Sequence, residues 1–239
     1  MRVRVTCDDQ NVKTERKLVK TDRGIERRFT FAVEKGRPYV IEKFVAVQTS
    51  RESGIHDPAG QAADRVSAAF REGFDALHDE HCAACDAFWA DHDVIIEGDA
   101  NAQQGIRYCV MQLRQSYLGD DPRVNIGAKG ISGPGYGGLY FWDSEIYMLP
   151  YYLYTDPAKA KNLVLFRHRT LAQARKRANW FGYAGAMYPW VTIDGNEVAG
   201  DWEFGMMEIH INAAVPYAVW HYVEATGDDG LLLEGGAEM

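Results

Sequence analysis

Ile209-His-Ile-Asn-Ala-Ala-Val-Pro-Tyr-Ala-Val-Trp-His-Tyr-Val223 contains no Asp, Glu, Lys or Arg, only two histidines and one asparagine. A helix of that composition must be covered nearly all round. The helical stretch before it is of another kind. Asp156-Pro157 offers an N-cap followed by proline at the first helical position, opening a helix that runs to Trp180. That helix carries Lys159, Lys161, Arg167, Arg169, Arg175, Lys176 and Arg177 with Leu163, Phe166 and Leu171 between them, so it has one wet side. Wet and dry helices in succession, joined by glycine-bearing loops, suit a double-layered helical toroid with dry inner helices ringed by amphipathic outer ones. An ordinary helical bundle fits the same pattern.

Between the two helices, Tyr188-Pro-Trp190 places an aromatic beside a rigid proline and Gly195-Asn196 marks a turn; Glu197, Asp201, Trp202, Glu203, Glu208 and His210 follow within a short span. Such crowding of acids and indoles in a loop fits sugar recognition. On residue type alone, Glu197 and Glu203 read as solvated loop acids. Trp202 reads equally as packing or as a platform, and His210 as a hydrogen-bonded core histidine. Upstream, Tyr136-Gly-Gly-Leu-Tyr-Phe-Trp-Asp-Ser-Glu-Ile-Tyr-Met-Leu149 sets Tyr140, Phe141 and Trp142 against Asp143 and Glu145. A pyranose has an apolar C–H face that lies on an indole and hydroxyls that are best held by carboxylates. The same residues also fit a helix start in which Phe141 and Trp142 are core and Asp143 is the N-cap.

The run Asn125-Ile-Gly-Ala-Lys-Gly130, then Phe141-Trp-Asp-Ser-Glu145, Leu149-Pro150, Tyr154-Thr-Asp-Pro157, Arg167-His-Arg169, Gly185-Ala-Met-Tyr-Pro-Trp190 and Glu208-Ile-His-Ile-Asn212 resembles glycoside hydrolase family 65, in order and collinearly over residues 89–239. That family holds the maltose, trehalose, kojibiose and nigerose phosphorylases and some hydrolases. The chain departs from it at Leu139, where many members carry His, and at Val191, where maltose-type members carry Glu, so the sugar linkage stays open. The resemblance selects an (α/α)6 barrel and implies a mostly α chain. Residues 1–50 would be the last strands of an N-terminal β-sandwich, 51–93 a helical linker, and 94–239 the first half of the barrel. It further implies Trp142, Asp143, Trp190, Glu208 and His210 as substrate-binding residues.

The reaction implied is inverting phosphorolysis of an α-linked glucose disaccharide to β-glucose 1-phosphate and a free sugar, with inorganic phosphate as co-substrate and neither organic cofactor nor metal. Inverting transfer needs one carboxylic acid to protonate the leaving oxygen. A hydrolase needs a second carboxylate to activate water, whereas phosphate needs only donors that place it. The family's acid is a Glu in an Asn-Glu-Tyr-like motif that does not occur in this sequence, nor does the family's phosphate-binding loop. No catalytic residue is therefore expected in this chain, which reads as a fragment whose general acid lies beyond Met239. Alternatives are an inverting α-glucoside hydrolase of trehalase or kojibiose hydrolase type, or a non-catalytic sugar-binding fragment. A homodimer is implied for the full-length protein.

Toward the N-terminus, Phe29-Thr-Phe-Ala-Val33 alternates, Glu34-Lys-Gly-Arg-Pro38 supplies a turn, and Tyr39–Val47 returns in β-branched residues. Together they predict a hairpin, with weaker strands at Val3-Arg-Val5 and Lys17-Leu-Val-Lys20. From Asp57 to His92 the period becomes helical through Ala62, Val66, Ala69, Phe70, Phe74, Leu77, Phe88 and Trp89. Asp99 is placed as an N-cap ahead of Ile106, Tyr108, Val110, Met111 and Leu113, and the long glycine-rich loop from Gly119 to Gly138 reads as functional.

Composition limits the partners. The 239 residues are 46% hydrophobic and 25% charged, as a globular chain is, and the net charge of -8 disfavours nucleic acid. No run nears the roughly 18 apolar residues of a membrane span. The opening Met-Arg-Val-Arg-Val-Thr-Cys-Asp-Asp has no apolar signal core, so a cytoplasmic location is expected. Cys7, Cys82, Cys85 and Cys109 are too few and scattered for a disulfide framework. The His81-Cys82-Ala-Ala-Cys85 cluster hints at zinc, but a lone C-x-x-C in a helical pattern reads as small apolar packing.

Overall fold

Strand β1 (Arg2–Cys7) is the spine of the N-terminal sheet. The antiparallel β5 (Tyr39–Phe44) lies along one edge, with Arg2 opposite Phe44, and the two-residue β2 (Gln10–Asn11) along the other. A separate hairpin is made by β3 (Glu15–Thr21) and β4 (Gly24–Thr30). The computed structural model describes all residues except Ser53, Ser132, Asp201 and Trp202, and of Glu203 and Phe204 only the backbone. The hairpin expected between residues 29–33 and 39–47 is not formed. Alternation marks which residues share a face but does not choose their partner strand. The tight Asp22-Arg23 connection hands β4 to β3, and β5 pairs instead with β1, whose Val3-Arg-Val5 had the weaker strand signal.

Helix α1 (Pro58–Glu72) starts at Asp57, whose side chain accepts a hydrogen bond from the Gly60 N–H, and stops at Gly73, which takes a φ of 94° that favours glycine. It packs on β1 and β5. Val66 is buried, the Phe70 ring meets Phe44 edge-on at 5.6 Å, and the Arg4 guanidinium lies 5.1 Å from the Phe70 ring. Gly73 splits the expected continuous helical run, and α2 (Phe74–His92) buries none of its residues.

Met1–Asp91 and His92–Met239 form two compact units. In the second, α3 (Ala100–Ser116) is capped by Asp99 as expected, its carboxylate accepting from the Asn101 and Ala102 N–H groups at 3.0 and 2.9 Å. A single π-helical turn (Ser144–Met148) leads into α4 (Leu149–Thr155). Then come α5 (Pro157–Arg169), α6 (Leu171–Trp180), the short α7 (Glu203–Met206), α8 (Ile211–Thr226) and the short α9 (Gly230–Leu233). Leu149, Tyr152 and Leu153 of α4 pack with Leu163 and Val164 of α5 and with Ala218, Val219 and Tyr222 of α8. Each large aliphatic side chain so buried contributes about 1.5–3 kcal/mol.

Two helical expectations are corrected. The stretch from Pro157 to Trp180 is two helices, because Thr170 leaves the helical region (φ -101°, ψ 8°) and donates its hydroxyl to the Phe166 and Arg167 carbonyls. Arg167 and Arg177 are not on a wet side; both are buried. In α8, Ile211, Ala214, Val215, Ala218, Val219 and Tyr222 face the core, while Tyr217 and Trp220 are 43% and 55% exposed. Among the described residues the chain therefore covers one side of α8, not its whole circumference. The result is a mostly helical chain with a small N-terminal sheet. All four cysteines are free thiols, and among the described residues no helix is long and apolar enough to cross a membrane.

Candidate functional site

Three extended segments meet at Tyr140. Its N–H donates to the Thr192 carbonyl at 2.8 Å and its carbonyl accepts from the Thr192 N–H at 3.0 Å, while on its other side it bridges Gly127. The approach is close at Gly127, where a Cβ would stand 3.1–3.2 Å from the Gly138 backbone, so any larger residue would have to push that backbone back by a few tenths of an ångström. The glycine-rich loop, the Phe-Trp-Asp element and the Pro-Trp loop are thereby tied side by side, with Thr192 fully buried. This sets the Phe141 ring edge-on to Trp190 at 5.6 Å and the Trp142 ring edge-on to His210 at 4.7 Å and Tyr147 at 5.7 Å.

Around the half-buried Trp142 stand two carboxylates of different state. Glu208 Oε2 lies 2.9 Å from His210 Nδ1, each side chain about a third exposed. His210 is thus held by an acid at the mouth of α8 and is not a core histidine. Asp143 sits in helical φ/ψ with no capping hydrogen bond, so the N-cap alternative is not what this residue does. No ion pair or hydrogen bond among the described residues engages its carboxylate, although it is half-buried. An indole face with one uncommitted carboxylate and a carboxylate–imidazole pair beside it can hold an apolar ring face and accept from several hydroxyls.

Behind this mouth lie groups that reading the residues missed. Glu145, on the π-turn, accepts from Arg167 Nε at 2.7 Å and Nη2 at 3.0 Å, and Nη2 also donates to the Phe141 carbonyl at 3.2 Å. Both side chains are almost wholly buried, so this bidentate pair clamps the backbone just before Trp142. The available signal was spacing: Arg167 falls between Ala160, Leu163, Val164 and Leu171, Ala174 on the apolar stripe, a position for a paired charge.

Glu197 is not a solvated loop acid. One oxygen accepts from the Trp190 N–H at 2.7 Å, the other from the Val191, Val198 and Ala199 N–H groups at 3.1–3.2 Å, and Arg177 stands 3.2 Å away. Burial pulls the Arg177 guanidinium below its usual value, partly offset by Glu197. Asn212, at the start of α8, accepts from the Tyr188 N–H at 2.7 Å, and burial pushes the Tyr188 hydroxyl up to about 12.

Trp190 is half-buried, with Gly205 laid on its ring: a Cβ there would stand 3.1 Å from the indole carbons. Of the expected site residues, Trp142, Glu208 and His210 are brought together; Asp143 adjoins Trp142 in the chain, and Trp190 packs on the neighbouring Phe141 ring. Asp201 and Trp202 lie outside the described residues, as does the side chain of Glu203. A separate cleft of about 400 Å³ between α3 and residues 126–130, lined by Tyr108, Gln112, Lys129 and Met148 among others, holds no carboxylate and none of these residues.

Residues 107–239 match the glycosyl hydrolase family 65 central catalytic domain, and residues 1–88 match the N-terminal domain of the same family. The chain is 44% identical over 206 residues to an α,α-trehalose phosphorylase of Thermoanaerobacter brockii, covering 86% of this chain and 26% of that protein. It is 37% identical over 220 residues to a maltose phosphorylase of Bacillus subtilis, covering 92% and 28%. A solved structure described as "Putative kojibiose phosphorylase from human microbiome" superposes with a TM-score of 0.72 at 30% identity, over 89% of this chain and 28% of that one. The chain thus spans between a quarter and a third of the length of each of these relatives.

Proposed function

Because the chain belongs to glycosyl hydrolase family 65, we propose that it serves inverting phosphorolysis of an α-linked glucose disaccharide, giving β-glucose 1-phosphate and a free sugar. The observation that carries this reading is the Trp142 indole set edge-on to a His210 ring that Glu208 holds at 2.9 Å, with Asp143, next in the chain, engaged by no hydrogen bond or ion pair among the described residues. The trehalose and maltose phosphorylases among its relatives support the same reaction type. In this reading a glucosyl ring lies with its C–H face toward the Trp142 and Trp190 indoles. Asp143 and Glu208 accept from its hydroxyls, and His210, oriented through Nδ1 by Glu208, presents Nε2.

The architecture proposed with it is the first half of an (α/α)6 barrel over residues 94–239. The strands of residues 1–50 belong to a β-sandwich and residues 51–93 to a helical linker. The proton donor and the phosphate-placing groups belong to other segments of the protein, and no organic cofactor is required, since phosphate is itself the nucleophile.

The test uses the full-length protein with trehalose, maltose, kojibiose and nigerose, with and without phosphate, reading the anomer of the product by proton NMR. The expected result is β-glucose 1-phosphate from one of the four, strictly dependent on phosphate. Glucose release without phosphate would make the protein a hydrolase, and no turnover of any α-glucoside would leave a sugar-binding role.

A further inference from the structure

Helix α2 presents four metal-ligating side chains, His78, His81, Cys82 and Cys85, at positions i, i+3, i+4 and i+7, which share one face. His81 Nε2 stands 3.6 Å from Cys85 Sγ, and the His78 ring nitrogens stand 3.7 Å (Nε2) and 3.8 Å (Nδ1) from Cys82 Sγ. The packing role expected for these cysteines does not hold for Cys82, which is exposed, while Cys85 is half-buried on a helix none of whose residues is buried. Both cysteines are free thiols.

An ion held tetrahedrally by one thiolate and one imidazole, at bond lengths of about 2.3 and 2.0–2.1 Å, spans a sulfur-to-nitrogen distance of about 3.5–3.6 Å. Both His–Cys pairs are thus set close to the bite of such an ion. A weak S–H···N hydrogen bond would account for one of them. It gives no reason for the arrangement to be repeated one helical step on, along a helix none of whose residues is buried.

We propose that this face of α2 is a chelation site for thiophilic metal ions, with His81 and Cys85 as one bite and His78 and Cys82 as the second. Thiolate with imidazole selects zinc(II) or copper(I) over magnesium or calcium. Among the described residues no group of three or more His, Cys, Asp or Glu stands ready around one point, so each bite supplies two ligands and water completes the shell. Binding releases the thiol protons, and affinity falls with acid.

The test is a cobalt(II) titration of the purified chain, followed by displacement with zinc. The site predicts a thiolate-to-cobalt charge-transfer band that zinc abolishes and that magnesium leaves unchanged. Cys82→Ser with Cys85→Ser should remove the band. His78→Ala with His81→Ala, which keeps both thiols, should weaken cobalt binding by about tenfold or more, since losing a ligand costs no less than losing an outer-shell partner. No band in the parent chain, a band that survives the double serine variant and so belongs to Cys7 or Cys109, or equal affinity without the histidines would each overturn the proposal.

Discussion

Two arginines of neighbouring helices, Arg167 of α5 and Arg177 of α6, are buried beside glutamates, yet the two pairs are built differently. Glu145 gives both oxygens to Arg167 in a fork with almost no exposure on either side. Glu197 spends its oxygens on four loop N–H groups, and Arg177 donates mainly to the Tyr188 and Met206 carbonyls. The first pair is a charge-for-charge clamp between elements of the helical core. The second uses charge to gather the N–H groups of a loop whose backbone pairing is limited to the Thr192–Tyr140 bridge and the Val198–Val191 bond. The segment that carries Trp142 is therefore anchored by a buried ion pair in the core, whereas the segment that carries Trp190 is held by the Glu197 carboxylate together with the Thr192–Tyr140 bridge and the Asn212 side chain.

Breaking the clamp should have the largest effect. Arg167→Ala leaves Glu145 buried without its partner and should cost about 3–5 kcal/mol in urea unfolding, whereas Arg167→Met combined with Glu145→Met should recover most of the loss. An equal loss in the double variant would mean the fork is not the source of the cost. Glu197→Ala should cost less, about 1.5–3 kcal/mol, the range for hydrogen bonds to a charged group. Its effect should be local: amide hydrogen exchange should quicken at Trp190, Val191, Val198 and Ala199 while the amides of α5 and α8 keep their protection. Acceleration throughout the helices would erase the contrast drawn here.

The third expectation concerns the uncommitted acid. Asp143→Asn should change stability by less than about 0.5 kcal/mol, as at sites without structural partners. Glucose affinity by calorimetry should drop about tenfold, the loss of about 1.4 kcal/mol. A large loss of stability with unchanged glucose affinity would make Asp143 structural. The smallest effect should come from an exposed counterpart, Asp228 with Lys161 at 3.1 Å. Lys161, then the Tyr222 hydroxyl, hold the Asp228 carboxyl below its ordinary value. Its contribution is therefore present above the unfolded carboxylate value of about 3.9 and lost as pH falls through the lower folded value. Asp228→Asn should flatten the acid limb of the stability profile by lowering stability slightly near neutrality, with parent and variant converging as pH falls through the folded value; an identical acid limb in the two would count against it.

Local signals were legible because they are decided within a few residues. Asp99 caps α3, Asp156 and Pro157 open α5, and the gathering of Trp142, Glu208 and His210 follows the family resemblance. What escaped depends on partners distant in the chain. The alternation at Phe29–Val33 does not itself reveal that the Asp22-Arg23 turn gives β4 to β3, and nothing near Arg167 names a glutamate 22 residues earlier. Charge alone made Arg167, Arg177 and Glu197 look solvated. Their burial is set by which backbone groups needed partners, and that is a property of the assembled fold.

Gly205 sits where the short α7 lies flush on the indole of Trp190, and a methyl placed there would meet both that ring and Ala199 at 3.1 Å. There is no slack at this joint. Even alanine would have to be absorbed by shifting the aromatic wall a few tenths of an ångström, so the depth of that side of the mouth is dictated by main chain in place of any side chain. Changes to the contour along this edge must then come through changes of backbone course, and point substitutions at 205 would be felt as a dislodged tryptophan.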